Sequence, residues 1–274
     1  GILFDTYGGI AEPTDYFDGA TKNRKKRRLN APTPEVHFIK TADEVELRLT
    51  RFPGGTRGPI LLSPGLGITS DMFAVDTIEI NLVEYLSAAG YDVWLFDWRG
   101  SPALASSRTQ FSLDDVSKND YQAAIPFVCE QTGVSEIDLL VHCIGSTTFF
   151  MAMCRGLQGV RSVIASQSAL HLDGSKANEL KCGLLVPTVL DTFGFHQLEA
   201  TTDHVPHFGD RLWDRLMDIN ARIGAQGQCD NVVCHRATFM YGSNFEHDNL
   251  NQPTHDMMAE MFGSTNMTVY RQIA

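Results

Sequence analysis

Apolar and polar residues alternate along Val36 to Lys40 and again along Val45 to Arg51, the period of a half-buried strand. The two segments flank Asp43-Glu44, so an antiparallel hairpin is predicted. Pro59 to Ser63, apolar through Leu62, reads as a short buried strand, and Pro64-Gly65-Leu66-Gly67 is a turn. A helix is predicted over Leu82 to Ala89, stopped by Gly90, with the next strand in Tyr91 to Phe96. Ser112 stands three residues before Asp115 and opens a helix that runs to Cys129. Ile137 to Val141 reads as a strand, Thr147 to Arg155 as a helix and Val160 to Ala165 as another strand. Strands alternating with helices predict an α/β protein whose mostly parallel sheet carries helices on both faces.

Beyond Leu170 the strand rhythm stops. Leu212, Leu216 and Ile219 keep helical spacing, and Gly and Pro break the stretch repeatedly. The division that follows is an extended arm or linker over 1–34, the α/β core over 35–170, a helical cap over 171–262 that should cover the mouth of the core, and the start of a return to the core over 263–274. The last sheet strands, which should follow the cap, are expected to be missing. The chain begins at Gly1 without a Met, as expected of an excised piece of a longer polypeptide or of a processed one.

The candidate chemistry lies in Leu139-Leu140-Val141-His142-Cys143-Ile144-Gly145-Ser146-Thr147-Thr148. This is the layout of a strand, a sharp turn and a helix start that forms the nucleophile elbow of α/β-hydrolases, G-x-S-x-G. Val141 stands at the first small position and Cys143 at the nucleophile. Such a turn exposes the nucleophile above the sheet with φ above zero. The helix dipole and free N–H groups there are expected to lower the thiol pKa. By position the oxyanion hole falls to the backbone N–H groups of Leu66 and Ile144. The acid is sought after the strand that precedes the cap, where Asp173 stands; its other reading is a helix N-cap. His171, His204, His207, His247 and His255 read as surface or packing residues of the cap, and His142 as packed beneath the turn. The late histidine that completes the order nucleophile, acid, histidine has no counterpart.

Gly90-Tyr-Asp-Val-Trp-Leu95, His142-Cys-Ile-Gly-Ser-Thr-Thr148 and the turn at 64–67 resemble the acid lipase branch of the α/β-hydrolases, with Pro64 where those lipases carry His. Leu3-Phe-Asp-Thr-Tyr-Gly-Gly9, Asp76-Thr-Ile78, Asn81-Leu-Val-Glu-Tyr-Leu86 and Thr147-Thr-Phe-Phe-Met-Ala-Met153 resemble the C-terminal hydrolase domain of bacterial GMC oxidoreductases of the cholesterol-oxidase type. The resemblance implies a lipase or esterase acting on carboxylic esters or thioesters, with an apolar acyl or sterol-like small molecule as substrate. The alternative is a non-catalytic domain that binds lipid or docks a flavin-dependent oxidoreductase domain. FAD is then expected only with such a domain attached upstream, and no cofactor in this chain.

Charge and cysteine content change the picture in three places. The formal net charge of −11 argues against a nucleic-acid partner. Six of the seven residues from Lys22 to Arg28 are basic, and Pro32 and Pro34 follow, which fits a solvated linker more simply than a phosphate or lipid-headgroup patch. No signal peptide or transmembrane segment is visible, so a cytoplasmic location is expected. Of the six cysteines, Cys229 and Cys234 are spaced for a local bridge or half a metal site, yet no second pair has ligand spacing and His235 is merely adjacent. Free thiols and no metal are expected. Gly65-x-Gly67 is a faint dinucleotide-loop signal, with Ser70 at the third glycine position and Asp97 the nearest acid.

Overall fold

A computed structural model describes residues 26–168, 188, 196–201, 229, 231–242 and 245–273. These fall into two compact units, the first holding residues 26–168 and the second the residues from 188 onward.

The first unit is built on six strands: β1 (Glu35–Lys40), β2 (Glu46–Phe52), β3 (Pro59–Ser63), β4 (Asp92–Asp97), β5 (Ile137–His142) and β6 (Val160–Ser166). Their order is β1-β2-β4-β3-β5-β6. The first two pair antiparallel, β2 joins β4 antiparallel, and β4, β3, β5 and β6 run parallel. The apolar runs explain the order. Every residue of β3 and β4 is buried, as a strand covered on both faces requires, whereas β2 alternates and buries Leu47 and Leu49. β1 lies at the edge and leaves Val36 and Phe38 exposed.

Helix α1 (Leu82–Ala88) opens on a capping box. Asn81 accepts the Glu84 N–H at 2.9 Å, and Glu84 accepts the Asn81 N–H at 3.0 Å. The helix from Ser112 is not continuous. Its capped first turn, α2 (Leu113–Asp115), passes through a π turn at Val116–Asp120 into α3 (Tyr121–Thr132), which ends at left-handed Gly133. Asp120, at the end of that turn, is buried and receives the N–H and guanidinium of Arg99 at 2.9 and 2.8 Å. Helix α4 (Ile144–Cys154) follows β5 after the single residue Cys143.

The basic run is not wholly a solvated linker. Arg27 grips the Glu84 carboxylate through both terminal nitrogens, at 2.7 and 2.8 Å, and Asp76 accepts its backbone N–H at 2.8 Å. Leu29 and Ala31 pack on a core cluster that includes Phe52, Val83 and Val93. The first unit therefore reaches back at least to residue 26 rather than starting at 35. The earlier part of the arm and of the basic run, including Lys22 to Lys25, lies outside the described residues.

In the second unit, β7 (Gln197–Glu199) and β8 (Ser264–Asn266) form an antiparallel pair of their own. Between them lie α5 (Val232–Tyr241), α6 (Gln252–Asp256) and α7 (Met258–Met261), and α8 (Met267–Ile273) follows. Helix predominates among the described residues of 171–262. The segment expected to begin a return to the main sheet pairs instead with β7, because β8 finds its open edge within its own unit. Among the described residues no helix is long and apolar enough to cross a membrane.

Glu84 carries a testable consequence. The Arg27 guanidinium, with the N–H groups of Asn81 and Asn30, holds its carboxyl down at about 2, against 4.5 ordinarily. The unfolded chain takes up this proton first, so the Glu84 contribution is complete above pH 4.5 and is lost as pH falls toward 2. Glu84→Gln is expected to cost about 1–2 kcal/mol at neutral pH and to flatten the loss of stability across that acid window, as measured by denaturant melts.

Candidate active site

The end of β5 meets the start of α4 at one strained residue. Cys143 has φ 52° and ψ −129°, a conformation that L residues rarely hold unless their surroundings enforce it. Its N–H donates to the carbonyl of Ser166 at the end of β6 at 2.9 Å, and its carbonyl accepts the Ser146 N–H at 2.9 Å. The next turn of α4 lies hard against the loop that follows β3. A Cβ placed on Gly145 would overlap the Pro64 carbonyl oxygen, a backbone atom. Only glycine fits there, which gives the last glycine of the elbow motif a steric reason.

Buried side chains lock this junction. The Tyr121 hydroxyl donates to the Gly145 carbonyl at 2.7 Å and lies 2.7 Å from the Ser63 hydroxyl. Burial pushes the Tyr121 phenol well up, so it stays a neutral donor. Trp98 Nε1 donates to the Pro64 carbonyl at 3.2 Å, which fixes the turn carrying Leu66. Gly65 passes so close to the thiol that a Cβ there would sit 3.1 Å from the Cys143 Cβ. Neither Tyr121 nor Trp98 was singled out in the sequence. Each acts across tens of residues of chain, and no local pattern marks such a contact.

The backbone N–H groups of Ile144 and Leu66 both act on the Cys143 thiol in the direction that favours its ionised form. Three residues named from the sequence, Cys143, Leu66 and Ile144, are thus brought together. The expected thiol acidity is corrected. The two N–H groups pull the Cys143 pKa down, but burial outweighs them and the net direction is up. Dipole arguments assume a thiol open to water at the helix end, and this one is half-buried.

His142 lies beside the elbow, with Nδ1 3.2 Å from the Ser166 hydroxyl. Burial lowers its pKa, so the ring is neutral at pH 7, and its Nδ1 faces a hydroxyl rather than a carboxylate. Asp173, the candidate acid, lies outside the described residues, as do His171, His204 and His207. Asp97 does not stand open to a ligand. It accepts from Arg48 Nε at 2.9 Å, the Ser70 N–H and hydroxyl at 2.8 and 2.7 Å, and Ser101 at 2.6 Å.

The remaining named histidines stand in the second unit. His247 and His255 lie with Cys229 and Cys234, where one ligand atom of each is within 4.8 Å of the others. The sequence search for a second pair missed this because the two histidines come from a 3-10 turn and from α6, separated by folding rather than by a motif spacing.

Residues 58–192 match the model of the family described as alpha/beta hydrolase fold. With the parallel sheet, its strand order and the elbow, that decides the architecture. The chain has the α/β-hydrolase fold. It is weakly similar to acid lipases: 29% identical to human lysosomal acid lipase/cholesteryl ester hydrolase over 43% of this chain and 34% of that protein. Human gastric triacylglycerol lipase is 27% identical with the same coverage. The chain thus spans about a third of the length of these curated relatives. Among solved structures, a soluble variant of the monoglyceride lipase of Saccharomyces cerevisiae with a substrate analogue gives a TM-score of 0.49 at 19% identity, covering 65% of this chain and 58% of that one.

The steric reading of Gly145 predicts that Gly145→Ala destabilises the first unit by about 1–3 kcal/mol, since a backbone carbonyl must move to admit the methyl group. Equilibrium denaturation measures it, and a neutral outcome would mean that the elbow has slack.

Proposed function

We propose that the chain is a lipase- or esterase-like hydrolase of carboxylic esters or thioesters with Cys143 as its nucleophile. The reading is supported above all by a cysteine held at a strained elbow between strand and helix, with the Gly65 turn packed against it and the backbone N–H groups of Leu66 and Ile144 acting on its thiol. In this reading Sγ attacks the acyl carbon, a C–S bond forms, and the carbonyl oxygen gathers charge within reach of those N–H groups. The tetrahedral species collapses by breaking the bond to the alcohol, which leaves with a proton. Water then hydrolyses the acyl thioester. Asp173 is proposed as the acid of the site.

Two features set the expected kinetics. Burial keeps the thiol protonated at neutral pH, so attack requires the proton to leave as the C–S bond forms. Among the described residues His142 Nδ1 faces the Ser166 hydroxyl at 3.2 Å rather than a carboxylate. Deacylation is therefore expected to be the slow step, because general acid–base help is worth roughly 10²- to 10⁴-fold. The names of the relatives, an acid lipase and cholesteryl ester hydrolase and a triacylglycerol lipase, support an apolar acyl or sterol ester as substrate. A kinship with the hydrolase domain of GMC-type flavoproteins is proposed on the sequence segments at 3–9, 76–78, 81–86 and 147–153 alone. Flavin absorbance in the polypeptide purified from its native host would support it.

The chemical test uses p-nitrophenyl esters of short and long acyl chains. A burst of one equivalent of p-nitrophenol is expected, with the acyl group mapped by mass spectrometry to Cys143 and both signals lost in Cys143→Ala. Unchanged ester cleavage in that variant would reject the proposal. A second measurement follows the thiol itself. Alkylation of Cys143 by iodoacetamide should keep accelerating as pH rises through 9.0, the ordinary cysteine value, instead of levelling off near neutrality.

A further inference from the structure

We infer that Cys229, Cys234, His247 and His255 form a tetrahedral binding site for one divalent cation of the zinc type, a structural site separate from the elbow. All four donors belong to the second unit, and one ligand atom of each lies within 4.8 Å of the others. A tetrahedral centre with Zn–S of ~2.3 Å and Zn–N of ~2.0–2.1 Å sets its donor atoms roughly 3.3–3.8 Å apart. Cys234 Sγ and His247 Nε2 already stand 3.4 Å apart. Every other separation lies within 4.8 Å.

An independent observation points to a missing ligand. His255 is only 5% exposed, and among the described residues its buried Nε2 has no hydrogen-bond partner. A buried polar nitrogen left in that state costs roughly 1–3 kcal/mol, and a cation is what a ring nitrogen beside two thiols and a second imidazole would accept. The His247 and His255 rings lie 5.1 Å apart between centroids, and Phe245 packs against both. Both cysteines are free thiols.

The surroundings hold the donors in place. Asn231 caps α5 by accepting the Cys234 N–H at 3.1 Å, and its side-chain amide donates to the His255 carbonyl at 3.1 Å. One residue thus ties the helix bearing Cys234 to α6, which bears His255. Asn251 caps α6 by accepting the Thr254 N–H at 2.8 Å, which sets the helix that carries His255. His235 Nε2 lies 3.5 Å from Cys229 Sγ, placed to support the sulphur as an outer partner. Two thiolates and two neutral imidazoles select a borderline-soft ion over magnesium or calcium. Four protein donors leave no open position, so the site is structural rather than hydrolytic. It would bind the segments from 229 to 255 to a small core of Leu198, Ala200, Val233 and several methionines.

The test is metal analysis of the intact chain, purified under reducing conditions with zinc supplied. One equivalent of zinc is expected, falling to none in Cys234→Ser and in His255→Ala. Cobalt should replace it with the intense visible absorption of a tetrahedral thiolate complex. Alkylation keeps the inference falsifiable should a variant fail to fold. In the unmutated protein, Cys229 and Cys234 should be protected from iodoacetamide until a chelator is added, while exposed Cys154 reacts throughout. Absence of zinc and cobalt from the folded unmutated chain would overturn the inference. So would thiols released by reductant but not by chelator, which would mark a disulfide.

Discussion

The first turn of α4 packs so tightly on the end of β3 that residue 145 has no room for a side chain, and much of the site follows from that contact. With Gly145 pressed against the Pro64 carbonyl, the chain leaving β5 must reverse within one residue, which drives Cys143 into positive φ. The same contact sets the turn of Gly65 and Leu66 beside the thiol, so N–H groups from segments far apart in sequence both act on it. Tyr121 and Trp98 hold the contact by filling the Gly145 and Pro64 carbonyls. Strain at the elbow persists because buried hydrogen bonds around it over-determine the backbone.

Burial and polarity oppose each other at this site. The elbow delivers N–H groups, which favour a thiolate, and the protein around it excludes water, which favours the thiol. Burial is the larger effect, so the sulphur is held neutral and its proton must move during any reaction. The same opposition acts on a buried carboxylate. Asp97 and Asp120 each meet an arginine, yet at Asp120 burial outweighs Arg99 and pushes the carboxyl up to about 6. Arg99 also reaches Asp43 in the turn between β1 and β2, and the hairpin is thereby tied to the loop after β4.

The elements visible in the chain are those whose causes are local. Apolar runs at 59–63 and 137–141 gave buried parallel strands, Ser112 and Asp115 gave a cap, and the motif around Cys143 gave the turn and the sign of its φ. The π turn between α2 and α3 was not visible. Apolar spacing does not record a single added residue in the helix, whereas the burial of Asp120 against Arg99 does. The tail of the basic run was misread for a related reason. A charge cluster looks solvated in isolation, and only the fold brings Glu84 beneath Arg27.

The sequence by itself determined the architecture, the position of the elbow and the three residues that meet there, because strand period, turn chemistry and a short motif are properties of neighbouring residues. Tertiary structure alone decided how acidic the thiol is, since that depends on how much water the folded chain removes from Cys143. It alone decided why 145 is glycine and why Tyr121 matters, since the answers lie in the Pro64 carbonyl just past β3 and in the Gly145 carbonyl and Ser63 hydroxyl that Tyr121 meets. It also decided the company kept by Cys229 and Cys234. Their distance from His247 and His255 along the chain carries no ligand spacing, and only the folding of α5 and α6 around Asn231 sets the four donors within reach of one another.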